Sequence, residues 1–290
     1  MKKIMALILI LSIAAVVVAV EKIKEASPAT IQQKKAADAA NLPLTKTIDL
    51  GNEVNMVVVF IPAGEFEMGS PMEELKRDSD EAQHHIKLTK AFYIGKFEVT
   101  QIQYRTIMSE NPSKFGGDKL PVENVSWYEA MRFLKKLSDK TGMKFRLPTE
   151  AEWEYACRAG TTTAFNTGTT LDSDVANYDA EKPYADGIIG KYLDRTCVVG
   201  SYPPNAFGLY DMHGNVWEWC NDIYNEDYYK VTPSIDPKGP QTDGGDRVIR
   251  GGAWNEYAYK CRSADRNDRG PKANQSHIGF RVVLEIESPK

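Results

Sequence analysis

The stretch that follows Gly160 limits what this chain can fold into more than any other part of the sequence. For more than a hundred residues Gly, Pro, Asn, Asp, Thr and Tyr dominate, and the pattern indicates no long amphipathic helix. An irregular stretch of that length inside a compact domain needs bound ions, disulfides or buried polar side chains to organise it. The sequence therefore predicts a domain with little regular secondary structure that depends on such interactions.

Regular elements are predicted mostly ahead of Gly160. Residues 57–61 form a largely β-branched run closed by Pro62-Ala63-Gly64, and the alternating stretch after this turn indicates a second strand. The two strands are therefore expected to form a hairpin. The segment IKLTKAFYIGKFEVT has the same strand character, and HIGFRVVLEI near the C-terminus is expected to return and pair with the early strands.

Three helix starts carry one local signature, a hydroxyl residue with Glu or Gln three positions on, which satisfies free backbone amides at the helix end. The pairs are Thr100 with Gln103, Ser126 with Glu129, and Thr149 with Glu152. The second pair opens the clearest helix, which Gly142 can end, and the third opens a helix that stops before Gly160. The apolar residues on one face of the clearest helix are Trp127, Ala130, Met131, Leu134 and Leu137. Both helices are therefore expected to face the core.

The charge and composition of the chain indicate one globular domain and exclude one class of partner. Of the 290 residues, 42% are hydrophobic and 26% are charged, which is an ordinary globular balance. The formal net charge is -4, and the sequence contains no long run of Lys or Arg. Nucleic acid is therefore not an expected partner, because it would require a basic patch.

The N-terminus carries the pattern of an export signal. In residues 1–20, Lys2 and Lys3 precede an apolar run that continues to Val20. The run fits a cleaved signal peptide or a retained membrane anchor, and the sequence leaves both open. Either one predicts an exported protein that is located in the periplasm, at the cell envelope or outside the cell.

A linker is predicted between this segment and the folded domain. Residues 21–46 are rich in Ala, Lys and Gln and contain no aromatic residue, which is typical of a flexible connection. With a retained anchor, the linker would tether the domain to the membrane. The domain itself is predicted to occupy residues 47–287.

Cysteine and histidine usage favours disulfides over a metal cluster. An even number of cysteines in an exported chain favours disulfides, and four of them allow three pairings that the sequence leaves open. No Cys-x-x-Cys spacing indicates zinc, and the four histidines are scattered. His213 is accordingly expected at an exposed position in a loop. The cysteines are Cys157, Cys197, Cys220 and Cys261.

Eight motifs, in order along the chain, carry a resemblance to a known family. They are FIPAGEFEMGS, EVTQIQY, PVENVSWYEAMRFLKKL, FRLPTEAEWEYACRAG, NAFGLYDMHGNVWEWCNDIY, RVIRGGAWN, CRSADR and HIGFRVV. Across residues 47–285 the chain resembles the sulfatase-modifying factor family, whose founding members are the formylglycine-generating enzymes. The resemblance implies an α+β, C-type-lectin-like fold with low regular secondary-structure content, which agrees with the irregular stretch after Gly160.

The resemblance also bears on copper chemistry. The family's best-known members oxidise a sulfatase cysteine to formylglycine, using molecular oxygen and a copper ion held by two cysteines five residues apart. Cys261 matches the second cysteine, and Glu256 stands at the position of the first. Two thiolates select Cu(I), whereas one thiolate and one carboxylate do not make an equivalent site. The chain is therefore expected to lack this copper site, and an oxidase that acts on a sulfatase with Cys261 as its catalytic residue is the alternative.

A disulfide is implied by the same resemblance. Relatives with one cysteine at this site are similar to the chain in carrying another at the position of Cys220, which implies a bridge between Cys220 and Cys261. It would close a loop of about 40 residues and stabilise the fold by roughly 3 to 4 kcal/mol by limiting the unfolded chain. Cys157 and Cys197 remain as a second possible pair.

The resemblance further implies calcium as a cofactor at two sites. The first site would use two carboxylates and two backbone carbonyls, which are hard oxygen ligands, from Asp211, Gly214, Val216 and Glu218. The second set comprises Asn177, Tyr178, Asp186 and Ile188, and five extra residues, KYLDR, follow it. The alternative for the first set is a solvated acidic turn, with Trp217 and Trp219 in the core.

The loop from Trp254 to Gly270 has the composition of a recognition surface, because rigid aromatic residues give contact area and polar groups give adaptable hydrogen bonds. The predicted binding surface comprises Asn255, Glu256, Tyr257, Tyr259 and Asn267. Arg262 and Arg281 are expected to form internal salt bridges. The segment from RVIRGGAWN to HIGFRVV also resembles the variable region of ligand-binding proteins of diversity-generating retroelements.

Together these features predict an exported, calcium-stabilised binding module of the cell envelope that presents a loop surface to a protein, peptide or glycan. The alternative function is the oxidase described above, whose partner would be a sulfatase. A third possibility is a domain that scaffolds a larger complex at the membrane.

Overall fold

The structure, a computed structural model, describes residues 26–287. The predicted signal or anchor segment and the first residues of the predicted linker lie outside this range. Among the described helices, none is long and apolar enough to cross a membrane.

Four α-helices and eleven short strands make up the regular structure of residues 26–287. The helices are α1 (Pro28–Ala40), α2 (Gln101–Met108), α3 (Trp127–Thr141) and α4 (Glu150–Arg158). The strands ahead of α4 are β1 (Thr45–Asp49), β2 (Asn55–Ile61), β3 (Gly64–Met68), β4 (His84–Leu88), β5 (Phe92–Gly95) and β6 (Phe145–Arg146). The later strands are β7 (Trp217–Ile223), β8 (Arg247–Arg250), β9 (Asn267–Arg269), β10 (Ile278–Gly279) and β11 (Val283–Glu285). Two short 3-10 helices, Tyr228–Lys230 and Ala258–Cys261, lie in the loops on either side of β8.

The strands form three sheets. The largest has the order β1-β2-β5-β11-β6, and all of its pairings are antiparallel. The second has the order β10-β7-β8-β9, and β3 pairs with β4 in a sheet of two strands. In the largest sheet Val283 of β11 lies opposite Ile94 of β5 and opposite Arg146 of β6. The prediction that the C-terminal strand returns to the early strands is therefore confirmed.

The hairpin predicted around Pro62 is wrong, because its two strands join different sheets. β2 pairs with β1 on one edge and with β5 on the other, so neither edge is left for β3. β3 pairs with β4 instead. Residues 58–61 of β2 are all buried, as expected for a strand whose two faces are both covered, whereas β3 alternates between exposed and half-buried positions until it ends.

All three predicted helix starts are confirmed by reciprocal capping. The hydroxyls of Thr100, Ser126 and Thr149 each accept a hydrogen bond from the backbone amide three residues on, and the Gln or Glu side chain at that position bonds back. α3 ends at Gly142, whose φ of +69° is the left-handed conformation that suits a helix end. Of its predicted inner face, Ala130, Leu134 and Leu137 are buried, whereas Trp127 and Met131 are half-buried.

The predicted linker over residues 21–46 requires correction, because α1 belongs to the folded domain. The side-chain amide of Gln33 donates hydrogen bonds to the backbone oxygens of Phe60 (2.7 Å) and Phe207 (3.0 Å). Ala37 is fully buried in the same core as β2. α1 packs through small side chains, and such residues do not produce the stripe of large apolar residues that predicts a core-facing helix.

Buried arginines organise the irregular part of the domain. Arg262 pairs with Glu74 and Glu81, and Arg281 pairs with Glu218. The internal salt bridges predicted for these two arginines are therefore confirmed. Further buried pairs join Arg158 and Arg250 to Glu154, and Arg266 to Glu150. This is the kind of polar interaction that a long irregular stretch requires.

The predicted disulfide between Cys220 and Cys261 is wrong, since all four cysteines carry free thiols. Cys220 lies in β7 and packs in the apolar cluster formed with α4 and β8, whereas Cys261 packs in a separate cluster with Phe165. The two sulfurs fill different parts of the core. The second possible pair, Cys157 and Cys197, does not form either.

Candidate functional site

The segment after β8 turns sharply and brings Cys261 beside its start. Gly251 and Gly252 have φ angles of +98° and +74°, which favour glycine. A Cβ atom at Gly252 would lie 2.4 Å from Sγ of Cys261, so a larger residue does not fit. The turn therefore fixes Glu256 and Cys261, the two positions that match the family's copper ligands, within one short loop.

Cys261 is a buried thiol. It has no solvent exposure and packs in the same apolar cluster as Phe165 and Tyr178. Burial raises the pKa of the Cys261 thiol well above its usual value, and the nearby carboxylates of Glu256 and Asp265 raise it further. A protonated thiol without access to solvent is a poor nucleophile and a poor metal ligand.

Glu256 is half-buried in the same loop. Its Oε1 accepts a hydrogen bond from Nε1 of the buried Trp217 at 3.2 Å. Its backbone oxygen accepts one from the amide of Asp179 at 2.9 Å. At the position of the first copper cysteine, the chain therefore has a carboxylate that is hydrogen-bonded to the Trp217 indole. The backbone of Glu256 joins its own loop to the loop of Asp179.

His213 is buried, which corrects the expectation of an exposed loop position. Its Nε2 accepts a hydrogen bond from the amide of Asn166 (3.0 Å), so its Nδ1 carries the proton and donates to the backbone oxygen of Cys261 (2.7 Å). Burial lowers the pKa of His213 to about 4 and raises that of Cys157, whose Sγ lies 3.9 Å from Nε2, to about 12. The two side chains are neutral and form no activated thiol-imidazole pair.

Four residues from distant parts of the chain form what we call the aromatic surface, namely Phe115, Tyr192, Arg195 and Trp254. The ring centroid of Trp254 lies 5.5 Å from that of Phe115 and 6.4 Å from that of Tyr192. The Arg195 guanidinium lies 5.5 Å from the Phe115 ring. None of the four was among the predicted binding residues, although Trp254 begins the predicted recognition loop and Tyr192 and Arg195 belong to the KYLDR insertion, which was a usable signal.

The predicted binding residues are divided between two places. Asn255 is exposed, and Tyr257 and Tyr259 are half-buried with ring centroids 6.0 Å apart. The ammonium of Lys182 donates a hydrogen bond to the Tyr257 hydroxyl at 2.7 Å. Asn267 lies outside this loop in β9, and its Oδ1 accepts hydrogen bonds from the Asp268 amide and the Arg269 side chain. Its side chain is therefore used within its own strand.

The first predicted calcium set fits a cation only in part. Asp211 is buried, and its Oδ2 accepts a hydrogen bond from the Gly200 amide (2.6 Å) while its Oδ1 has no partner. Glu218 has both carboxylate oxygens bound by Arg281, at 2.5 and 2.6 Å. Asp211 therefore offers a free hard oxygen, and Glu218 is already neutralised. Gly214 and Val216, which would contribute backbone oxygens, lie in the turn between Asp211 and Glu218.

The residues of the second predicted calcium set differ in burial. Asn177 is buried, and its Oδ1 has no hydrogen-bond partner. Tyr178 is buried and its hydroxyl donates to the backbone oxygen of Leu171. Asp186 and Ile188 lie on an exposed loop, and within residues 26–287 the Asp186 side chain makes no hydrogen bond or salt bridge. Asn177 is therefore the member of this set with an oxygen that fits a buried ion.

Three carboxylates converge elsewhere, at Asp78, Glu81 and Asp265, with one oxygen of each within 4.8 Å of the others. The ammonium of Lys260 lies 2.9 Å from Asp78 and 3.2 Å from Asp265. Arg262 holds Glu81 at 2.6 Å. Two internal cations therefore already fill the positions that a metal ion would take.

Comparison with known proteins shows that the chain matches one protein family. Residues 49–286 match the FGE-sulfatase family, described as a Sulfatase-modifying factor enzyme 1-like domain. The chain is 28% identical to Formylglycine-generating enzyme of Bos taurus, over 79% of this chain and 74% of that protein. It is 31% identical to Serine/threonine-protein kinase pkn1 of Chlamydia pneumoniae, over 79% of this chain but only 38% of that protein.

A solved structure supports the same relationship. Treponema denticola variable protein 1 is 29% identical, and it superposes with a TM-score of 0.73 over 84% of this chain and 100% of that one. With the family match, this confirms the predicted α+β, C-type-lectin-like fold and its low content of regular secondary structure.

Proposed function

The chain belongs to the sulfatase-modifying factor family, and from this premise we propose that it is an exported, calcium-stabilised binding module of the cell envelope. In this role it uses the family's scaffold to present a surface and does not oxidise sulfatase cysteines. The export signal pattern in residues 1–20 supports the location.

The observation that carries the proposal is the state of the two positions that match the copper ligands. Position 256 carries a carboxylate that accepts a hydrogen bond from Trp217, and position 261 carries a buried, protonated thiol. Cu(I) requires soft ligands that a solvent-borne ion can reach. Neither position meets this requirement, so copper is not proposed as a cofactor.

The aromatic surface supports a binding role. The rings of Phe115 and Tyr192 are half-buried beside Trp254. Two exposed polar residues adjoin these rings: Arg195 lies at the Phe115 ring, and Asn255 follows Trp254 in the sequence. Partly exposed rings offer area for stacking on a sugar or an apolar side chain, and the polar groups at their edge can fix orientation. A glycan, a peptide or a protein loop has this chemistry.

Calcium is proposed as a structural ion. Asp211 and Asn177 each hold a buried oxygen without a hydrogen-bond partner, and both are hard donors of the kind that calcium prefers. A bound ion would satisfy these oxygens and hold the irregular turns that carry them. Removal of calcium is therefore expected to lower the melting temperature of the domain. The turns that carry these oxygens should loosen before the sheets unfold.

An oxidation assay tests the non-enzymatic part of the proposal. The purified protein is incubated with copper, oxygen and a sulfatase peptide that contains Cys-x-Pro-x-Arg, and the peptide is analysed by mass spectrometry. We expect no formylglycine above the level of Cys261→Ser, the matched control. Formylglycine formed by the unaltered protein and lost in Cys261→Ser would establish the oxidase instead.

A binding assay tests the surface. Labelled protein is applied to a glycan array and to an array of peptides, and any ligand found is titrated against two variants. Tyr192→Ala is expected to weaken binding roughly tenfold or more, because it removes a ring from the aromatic surface. Tyr128→Ala removes a ring that is 53% exposed on α3 and should bind normally. Equal loss in both variants would rule out this surface.

A further inference from the structure

The backbone that carries the aromatic surface is fixed by buried side chains. The amide of Phe115 donates a hydrogen bond to Oε1 of Glu123 at 2.8 Å, and the backbone oxygen of Phe115 accepts one from Nε2 of Gln101 at 2.6 Å. The backbone oxygen of Arg195 accepts a hydrogen bond from Nδ2 of Asn177 at 2.9 Å. The three side chains that make these contacts are buried. The loops that form the surface are therefore held in place before a ligand binds, which lowers the entropic cost of binding.

Trp254 is the buried member of the aromatic surface and supports the more open rings. It is 7% exposed, its amide donates to the backbone oxygen of Asn215 at 3.0 Å, and its Nε1 donates to that of Ser276 at 3.0 Å. The ring of Tyr192 lies within 15° of parallel to the Trp254 ring. Because Tyr192 is only half-buried, part of its ring stays open to solvent. A flat, partly open ring on a rigid support suits the flat apolar face of a sugar.

Two exposed cations lie at the same surface. The Lys114 ammonium is 5.0 Å from the centroid of the Phe115 ring, and the Arg195 guanidinium is 5.5 Å from it. Both residues are exposed, and neither forms a salt bridge within residues 26–287. The exposed acid next to Arg195 in sequence is Asp194, which accepts a hydrogen bond from the Tyr192 hydroxyl at 3.0 Å. In a chain with a formal net charge of -4, two such cations beside one ring favour a negatively charged ligand.

The backbone of the aromatic surface offers little to an extended peptide. A peptide that adds as a strand requires free amides and carbonyls on the segment that receives it. The amide and the backbone oxygen of Phe115, the amide of Trp254 and the backbone oxygen of Arg195 are already hydrogen-bonded within the domain. Recognition at these positions therefore has to use side chains, which are planar rings and cations. A sugar chain with carboxylate or sulfate groups has the matching features, namely flat apolar ring faces and negative charge.

We propose that the aromatic surface binds an acidic glycan. A sugar ring packs on Tyr192, and its carboxylate or sulfate group is held by Lys114 and Arg195. The inference rests on the binding function proposed above and names the ligand class for its surface. Because both cations are exposed, ions in solution screen their attraction for the ligand, and added salt should weaken binding.

Binding of acidic and neutral oligosaccharides to the full-length protein tests the inference. Calorimetry measures the affinities for oligogalacturonate, which carries carboxylates, for dextran sulfate, and for unmodified dextran of similar length. At least one acidic sugar is expected to bind roughly tenfold or more tightly than unmodified dextran. Lys114→Gln and Arg195→Gln should each weaken that binding roughly tenfold, because each removes a charged partner of the ligand.

Lys136→Gln is the matched control for the two charge variants. Lys136 on α3 is also exposed and forms no salt bridge in the part of the chain that the structure describes. Its substitution changes the net charge by the same amount, and the variant should bind like the unaltered protein. Equal losses in Lys114→Gln and Lys136→Gln would mean that net charge alone attracts the sugar and would overturn the inference.

The remaining outcomes separate the ligand class from the binding function. Preferred binding of unmodified dextran, or of polyglutamate as an acidic peptide, would overturn the acidic glycan. Loss of that binding in Tyr192→Ala would nevertheless leave the proposed binding function standing. If neither acidic sugar binds, the ligand class is wrong, and the glycan and peptide arrays then decide whether the surface binds any ligand.

Discussion

At position 256 a carboxylate accepts a hydrogen bond from the Trp217 indole (3.2 Å) and lies near the thiol of Cys261. Burial already keeps this thiol protonated, and the carboxylate acts in the same direction because a second negative charge nearby is unfavourable. Both effects oppose a thiolate at position 261. These two side chains therefore do not make a site for a soft metal ion.

We expect the native protein to contain four free thiols that react slowly. Burial is the main cause that raises the pKa of each cysteine, so little thiolate exists at neutral pH. A thiol reagent added in guanidinium without reductant should titrate four groups, and the same reagent should label Cys197 first in the native state because it is the least buried. A count of two would show that one disulfide forms and would contradict this prediction.

Glu123 should make stability depend on pH. Burial raises its pKa to about 7 from an ordinary value of 4.5. The folded state therefore binds a proton more tightly than the unfolded state, so this contribution is complete below about pH 4.5 and is lost as pH rises through about 7. Glu123→Gln stays neutral, and its free energy of unfolding should exceed that of the unaltered protein by about 1 to 2 kcal/mol at pH 8.

Urea unfolding at several pH values measures this difference. The gap between Glu123→Gln and the unaltered protein should widen from pH 4.5 to about pH 7 and level off above that. A gap that does not change with pH would show that Glu123 is ionised throughout. The Oε1 acceptor for the Phe115 amide is kept in the variant, so the loop retains this hydrogen bond.

At the scale of elements, α1 is attached to the domain by a few specific contacts. Gln33 bridges β2 and the loop at Phe207, and the hydroxyl of Thr30 donates to the backbone oxygen of Ala206 at 2.8 Å. Ser27 caps the helix through its side chain. α1 is therefore a part of the domain that polar contacts and small side chains hold in place.

Substitution of Gln33 should loosen α1. Gln33→Ala removes the donor for two buried backbone oxygens, which is expected to cost about 2 kcal/mol in the free energy of unfolding. Gln32→Ala changes the same residue type on the exposed side of the same helix and should have little effect. Denaturant unfolding and hydrogen exchange across residues 28–40 are the measurements. Equal stability of the two variants would mean that α1 is not anchored through Gln33.

At the scale of the whole molecule, buried ion pairs join segments that are far apart in sequence. Arg262 connects the loop around Glu74 and Glu81 to the segment that contains Cys261. Arg281 connects the last strands to Glu218 in β7. These pairs do the organising work that disulfides were expected to do. Each is satisfied by hydrogen bonds, so the irregular middle of the chain has one defined arrangement.

Loss of a buried arginine should therefore destabilise the whole domain. Arg262→Met leaves Glu74 and Glu81 buried without a positive partner, and we expect a loss of about 3 to 5 kcal/mol in the free energy of unfolding. Arg132→Met removes an exposed pair with Glu110 and should cost less than about 1 kcal/mol. Urea denaturation compares them. Similar values for both variants would contradict a central role for the buried pairs.

Several predictions that depended on neighbours in sequence are confirmed by the structure. The capping boxes at Thr100, Ser126 and Thr149 involve residues three positions apart, and the face of α3 repeats every three to four residues. The eight family motifs covered nearly the whole domain, so they indicated the fold correctly. Nothing in their spacing revealed the aromatic surface, because Phe115 and Trp254 come from distant loops.

The sequence by itself determined the family, the helix ends and the return of the last strand, since local hydrogen bonding and motif order encode them. Only the tertiary structure decided that β2 and β3 separate, that α1 is packed, that the cysteines stay free and that Arg281 takes Glu218. Each of these outcomes depends on which distant group lies across the fold at hydrogen-bonding or van der Waals distance. Burial and charge pairing are set by that neighbour and not by the residues adjacent in the chain.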